Sequence, residues 1–149
     1  MQISKSDFHQ YLSEYTEDEI FYRNIYLQKK EHPETFQEYL HSLDPDYIRD
    51  RRLYVPELRQ EPWYPYLGEN DMFANIPENI IISKHYRYTP EFTHKHDFFE
   101  ILCVYEGAVN NQIQGIHHTL HTGDICIIPP NTQHSLGIFD DSLAFNIIV

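Results

Sequence analysis

Glycine is scarce in this chain, 5 of 149 residues, and cysteine scarcer still at 2. So little glycine excludes a collagen-like polymer or a flexible glycine-rich tether, and so little cysteine excludes a disulfide-built scaffold. Cys103 and Cys126 both lie in apolar β-type runs and read as buried, reduced thiols, since two cysteines without distances define no bridge. Cations are outnumbered: 11 Lys and Arg stand against 23 Asp and Glu, for a net charge of -12. Nucleic-acid affinity comes largely from Lys and Arg neutralising phosphates, so this chain by itself is not expected to grip DNA. No eighteen apolar residues run together and Met1 to Gln10 hold no apolar core, so neither a membrane span nor a secretory signal is expected, and a cytoplasmic location follows. A G-x-S-x-G elbow, a P-loop and a G-x-G-x-x-G turn are all missing, which leaves serine nucleophile chemistry and nucleotide cofactors without support. No catalytic residue is assigned. No repeat of fixed period argues for a solenoid or propeller.

What remains is ordinary globular material. At 41% hydrophobic and 23% charged, 149 residues suffice for one cored domain and not for two. The texture changes once. Ser4-x-x-Asp7 and Thr16-x-x-Glu19 have the form of helix N-caps, and Pro33 suits the first turn of a third helix that Asp44-Pro45 would end. Helices are expected near 5–14, 17–30 and 33–43, within a helical arm spanning 1–55. A Pro-rich connector follows over 56–78, with Pro56, Pro62, Pro65, Pro77 and the acidic turn Gly68-Glu69-Asn70-Asp71. From 79 to 149 the runs are short and rich in Ile, Val, Phe and Tyr, and are broken by Gly107, Asn110-Asn111, Gly115, Gly123-Asp124 and Pro129-Pro130-Asn131. That is the rhythm of an all-β barrel or sandwich.

The chemistry concentrates in His94-Lys95-His96-Asp97-Phe98-Phe99-Glu100. Strand side chains alternate faces, so His94, His96 and Glu100 point the same way, and Leu102 and Val104 continue that face as apolar. A face polar at one end and apolar at the other fits the inside of a small barrel with a pocket at its mouth. The opposite face, Phe99, Ile101, Cys103 and Tyr105, is apolar too and needs cover from helices, a second sheet or another subunit. Tyr86, Tyr88 and Phe92, just upstream, are candidates to line the pocket, or are sheet core. Phe8, Tyr11, Tyr15, Phe21, Tyr22 and Tyr26 read as a helix face on the barrel or a dimer contact. His117, His118 and His121 read as surface residues rather than a second metal site.

Written as patterns, these residues give H-x-H-x3-E-x6-G, ending at Gly107, and G-x5-P-x-N-x2-H, from Gly123 through Pro129 and Asn131 to His134. The two blocks resemble the paired motifs of the cupin superfamily, whose fold is a double-stranded β-helix, a jelly-roll barrel. Three positions depart from the pattern: Tyr88 stands where the first motif opens with Gly, Asn131 replaces an inner Gly, and Ile138 replaces a final Asn. Asn accepts the left-handed backbone a Gly would supply, whereas Ile138 removes a polar group from the site region. More narrowly, His94-x-His96-x-Phe98-Phe99-Glu100-Ile101 together with Gly123-Asp124-Ile125-x3-Pro129-Pro130 resembles the N-terminal sensor half of AraC-type transcriptional regulators.

The cupin resemblance implies that His94, His96, Glu100 and His134 converge inside the barrel. There they form either a 3-His-1-Glu site for Fe, Mn, Ni or Zn or a metal-free polar cluster in an effector pocket. The AraC-type resemblance implies a domain that binds a small molecule, of which sugars are one class, and that works as a homodimer. DNA would then be held only by a separate C-terminal helix-turn-helix half. No such half is present, and the run Phe145-Asn146-Ile147-Ile148-Val149 ends as though within a strand, so a longer regulator is expected. The alternative in another class is a metal-dependent cupin enzyme, a dioxygenase or sugar isomerase, using the same four residues. A stand-alone dimeric interaction module is a third reading.

Overall fold

Two reciprocal caps start the helical arm. In the computed structural model, which describes residues 3–59, 66–67, 73, 77 and 79–149, the Ser4 hydroxyl accepts from the Asp7 N–H while the Asp7 carboxylate accepts from the Ser4 N–H, opening α1 (Lys5–Ser13). Thr16 and Glu19 repeat the device at α2 (Glu17–Glu31). The expected third helix differs. Pro33 sits in a turn and α3 (Phe36–Ser42) starts after it. Asp44-Pro45, expected to end a helix, instead begins one: the Asp44 carboxylate accepts from the Asp46 N–H and Pro45 occupies the first turn of α4 (Pro45–Asp50). An Asp-Pro pair serves a helix start as readily as a stop, because proline at the first helical position gives up an N–H that has no partner there. Ile25, Phe36, Leu40 and Val55 give this arm a small core of its own.

Pro62, Pro65 and the Gly68–Asp71 turn lie outside the described residues. Of the connector, Pro56–Leu58 form one 3-10 turn, and β1 (Tyr66–Leu67) pairs in parallel with β3 (Lys95–His96).

The remaining strands are β2 (Ile81–Lys84), β4 (Glu100–Glu106), β5 (Ala108–Ile113), β6 (Ile116–His121), β7 (Ile125–Ile128), β8 (His134–Gly137) and β9 (Leu143–Ile148). They make two antiparallel sheets, one ordered β2-β9-β4-β7 and the other β6-β5-β8. The turns use Gly107, Gly115 and Gly123 at positive φ, as the sequence implied. Asn110-Asn111 is not a turn; it lies within β5, where Asn111 is buried.

The sheets face each other across one core. Leu102, Val104 and Ala144 of the first meet Val109 and Leu136 of the second, with Ile138 beside them. Chain crossing between two facing antiparallel sheets makes this a jelly roll, mainly β, with short helices in front. The outer face of the four-stranded sheet gains part of its cover from α1, where Phe8 meets Phe145 edge-on at 5.1 Å and Tyr105 at 6.0 Å. The arm is also anchored by charge: fully buried Glu19 pairs with Lys84 Nζ at 2.6 Å and Arg87 Nε at 2.8 Å. Among the described residues no helix is long and apolar enough to cross a membrane.

Candidate functional site

Main-chain pairing brings the two motifs together. His94 N–H donates to the His134 carbonyl at 2.9 Å and His134 N–H donates back to the His94 carbonyl at 3.1 Å, so both imidazoles leave neighbouring backbones on the same side. One step on, Asn131 N–H donates to the His96 carbonyl at 2.7 Å from a turn in which Asn131 has φ 62. The left-handed residue where the motif has Gly is therefore what docks the second block on the first. Tyr88, where the first motif has its other Gly, is left-handed as well at φ 63 and donates its N–H to the Ile138 carbonyl at 2.6 Å.

The result is a cluster in which ring centroids stand 4.2 Å apart for His94 and His134, 4.9 Å for His96 and His134, and 6.1 Å for His94 and His96. Phe98 stacks on His96 at 4.2 Å and seals it from solvent. Each ring is fixed through Nδ1, which faces a carbonyl oxygen: Phe92 at 3.2 Å for His94, Phe98 at 2.8 Å for His96 and Thr132 at 2.9 Å for His134. A carbonyl only accepts, so each Nδ1 carries a proton and each ring turns its Nε2 inward.

Glu100, first residue of β4, meets those nitrogens. Its Oε2 lies 3.1 Å from His96 Nε2 and 3.6 Å from His134 Nε2, and neither Nε2 has a well-directed hydrogen bond. Burial works against the charge on Glu100, but its contacts with His134 and then His96 prevail and hold the carboxyl well below the usual range. His94 is pushed down to about 4 by burial and by its neighbour His134, so it stays neutral near pH 7. A carboxylate set among inward-facing imidazole nitrogens is a donor set that suits a metal cation or a group bringing hydrogen-bond donors. Ligand atoms of His94, Glu100 and His134 all lie within 4.8 Å of one another, the one such set among the described residues. His96 joins through Glu100.

Of the three aromatics expected nearby, the structure brings one to the cluster. Phe92 lies 4.9 Å from His94, ring to ring. Tyr88 packs instead with Tyr22 and Leu53 and, at 5.4 Å, with Tyr26, facing the helical arm. Tyr86 is also on the arm side, within electrostatic reach of Asp18 and Glu19. Ile138 belongs to the barrel core. His117, His118 and His121 are exposed, with His117 beside Gln112 at 3.1 Å and His121 beside Asp124 at 3.9 Å. Cys103 and Cys126 are free and half-buried, and burial pushes both thiols up.

A second polar level inside the barrel escaped the sequence reading. Asn146 pairs directly with Leu102 and so points inward, Asn111 reaches across the barrel to Cys126 Sγ at 3.5 Å, and His85 lies opposite Ala144. Asn111 Oδ1, Asn146 Oδ1 and His85 Nε2 are buried without partners, and burial lowers the pKa of His85. The signal was present: Asn146 alternates with Ala144 and Ile148 in a strand whose inward residues are otherwise apolar.

Residues 79–146 match the family described as the AraC-like ligand binding domain. No curated protein sequence matches the chain. Among solved structures, an RmlC-like cupin from Shewanella frigidimarina is similar over 46% of this chain and 62% of its own length, at 17% identity and a TM-score of 0.41. A cupin-2 domain containing protein from the same organism is similar over 54% and 89%, at 22% and 0.38. A cupin protein from Bacteroides fragilis is similar over 46% and 59%, at 27% and 0.36. The chain thus spans less than two thirds of the first and third of these proteins.

Proposed function

We infer, from the match of residues 79–146 to the family described as the AraC-like ligand binding domain, that this chain is the effector-sensing part of a transcriptional regulator. The effector is a small molecule, with sugars among the candidate classes, bound at the barrel mouth by His94, His96, Glu100 and His134 beside Phe92. The chain acts by binding rather than by turnover, as a homodimer, and DNA contacts belong to a separate basic half. The observation that carries the site is the convergence of the buried His96 and His134 Nε2 atoms on the Glu100 carboxylate. This donor set fits a divalent first-row metal, Fe, Mn, Ni or Zn, with His94, Glu100 and His134 as its ligands and His96 alongside. Carbonyl partners on all three Nδ1 atoms fix the rings in the orientation such a ligand needs. When bound, the ion would supply a Lewis-acidic anchor for an oxygen of the effector. With or without it, Glu100 offers a fixed negative charge to an effector's hydroxyl or amine, and Phe92 offers an apolar edge.

The same four residues favour a second reading, a metal-dependent cupin dioxygenase or sugar isomerase. Elemental analysis of protein purified without a metal-affinity tag, paired with His94→Ala/His134→Ala, tests the site. Thermal-shift screening against sugars and other small metabolites tests the sensor. Stabilisation by a compound that is recovered unchanged, and its loss in the double variant, are expected. Metal content and compound-induced stabilisation both unaffected by the double substitution would show the site to be elsewhere, and steady conversion of the compound would favour the enzyme.

A further inference from the structure

The outer face of the four-stranded sheet carries apolar rows that run across its strands. In register, Ile82 of β2, Ile147 of β9, Ile101 of β4 and Ile127 of β7 form one complete row. Alongside it, Val149 and Phe99 exchange backbone hydrogen bonds at 3.0 Å each way and extend the apolar surface by a second row. The next row runs Lys84, Phe145, Cys103 and Ile125; the arm covers its Lys84 and Phe145 end through Glu19 and Phe8 and leaves Ile125 exposed. Ile80, Ile82, Phe99, Ile125, Ile127 and Val149 are 57, 54, 47, 64, 61 and 50% exposed.

We propose that two copies of this chain dock face to face through these rows. The inference rests on the homodimer reading above and gives it a surface. With the half-covered Ile101 and Ile147 between them, the six exposed side chains present roughly 700 Å² of apolar surface. A lone soluble protein's largest patch is commonly about 300–600 Å², and each partner in a standard interface contributes about 800 Å². The row is also self-complementary. A two-fold axis along the strands, between Ile147 and Ile101, sets Ile82 of each copy against Ile127 of the other and Ile147 against Ile101, an isologous contact between two aligned sheets. Beside Ile82, a groove of about 1040 Å³ is walled by Ile3, Phe8 and Tyr11 of the arm, with Ser4, Lys5 and Asp7, and receives the β7 edge of the second copy. Both rows are free of charge although the chain carries -12, the charged residues of the adjoining groove being Lys5 and Asp7, so the rows themselves bury no charge and the repulsion between copies is screened by salt.

Sedimentation velocity of the full 149-residue chain over a concentration series decides the matter. The expected result is a concentration-dependent dimer that tightens as NaCl is added. Ile127→Asp and, independently, Ile82→Lys should each weaken it by roughly 100-fold or more, because every substitution enters a two-fold interface twice. Ile116→Asp, at a position 63% exposed on the other sheet, should leave it unchanged. Circular dichroism establishes that each variant is folded, and Ile82→Lys decides if Ile127→Asp is not. A wild-type monomer at the highest concentration overturns both this proposal and the homodimer reading. A dimer that withstands Ile127→Asp and Ile82→Lys, or that weakens with salt, overturns the proposed face and leaves the effector site untouched.

Discussion

Glu19 accepts two hydrogen bonds from Arg87 through one oxygen, from the backbone N–H at 3.1 Å and from the guanidinium Nε at 2.8 Å. Its other oxygen takes the Thr16 N–H at 2.9 Å, closing the cap of α2, and Lys84 Nζ at 2.6 Å. One carboxylate thus both begins a helix and fastens it to the barrel. Glu19→Ala would leave two buried cations without their partner, and a loss of about 3–5 kcal/mol in urea unfolding is expected.

The same pair sets an acid limit. Burial opposes the charge on Glu19, but Arg87, Lys84 and the backbone donors outweigh it, so its folded pKa lies below the ordinary 4.5. At Lys84 the balance is reversed, and burial lowers its pKa despite the pairing. Glu19 governs the acid side, since four donors saturate its two oxygens. A depressed carboxyl contributes stability that is present above its unfolded pKa and is lost as pH falls through the folded one. The urea midpoint of the wild type should therefore drop more steeply than that of Glu19→Gln as pH is lowered from about 5 to about 3.

Surface pairing predicts the opposite scale. Lys29 Nζ is 2.9 Å from Glu57, yet its side chain is 61% exposed. Lys29→Ala should change unfolding free energy by less than about 1 kcal/mol, and less still in high salt.

Gly107 has φ 85, and a Cβ there would overlap the Ser142 side chain, whose hydroxyl accepts from the Ala108 N–H at 3.0 Å. Gly107→Ala meets an unfavourable backbone and a clash at once. A loss of roughly 2 kcal/mol or more is expected, measured as a lower urea midpoint.

Much of the barrel could be read from the sequence because its signals are local. Turn glycines, strand alternation and the spacing of His94, His96 and Glu100 depend only on near neighbours, whereas His134 was joined to them by the resemblance to the paired cupin motifs. The left-handed Asn131 followed from the same kind of reasoning. The sequence said less where a residue serves two partners or where distance decides. Thr16-x-x-Glu19 announced a cap, but nothing local reveals that Lys84 and Arg87 share its carboxylate. Tyr86 and Tyr88 lie close to His94 in sequence, yet the chain turns at a left-handed Tyr88 and sends them to the helices. Asn111 was misread because Asn-Asn is a common turn pair, and only its pairing within β5 shows otherwise.

Asn131 links stability to site geometry. Asn131→Gly should be neutral to within about 0.5 kcal/mol, whereas Asn131→Val should cost about 1–2 kcal/mol because a β-branched residue resists positive φ. The Val variant should also disturb the N–H bond to the His96 carbonyl. The imidazole signals of His96 and His134 in an NMR spectrum should then move, while those of exposed His117 and His118 stay in place.

An arm held to the barrel by grease alone can slide, since one apolar contact is much like the next. Glu19 does not permit this: a shift of a few ångströms strands a carboxylate, an ammonium and a guanidinium away from both water and one another. The buried pair therefore fixes the register of the arm on the barrel, which apolar contacts alone would leave loosely defined.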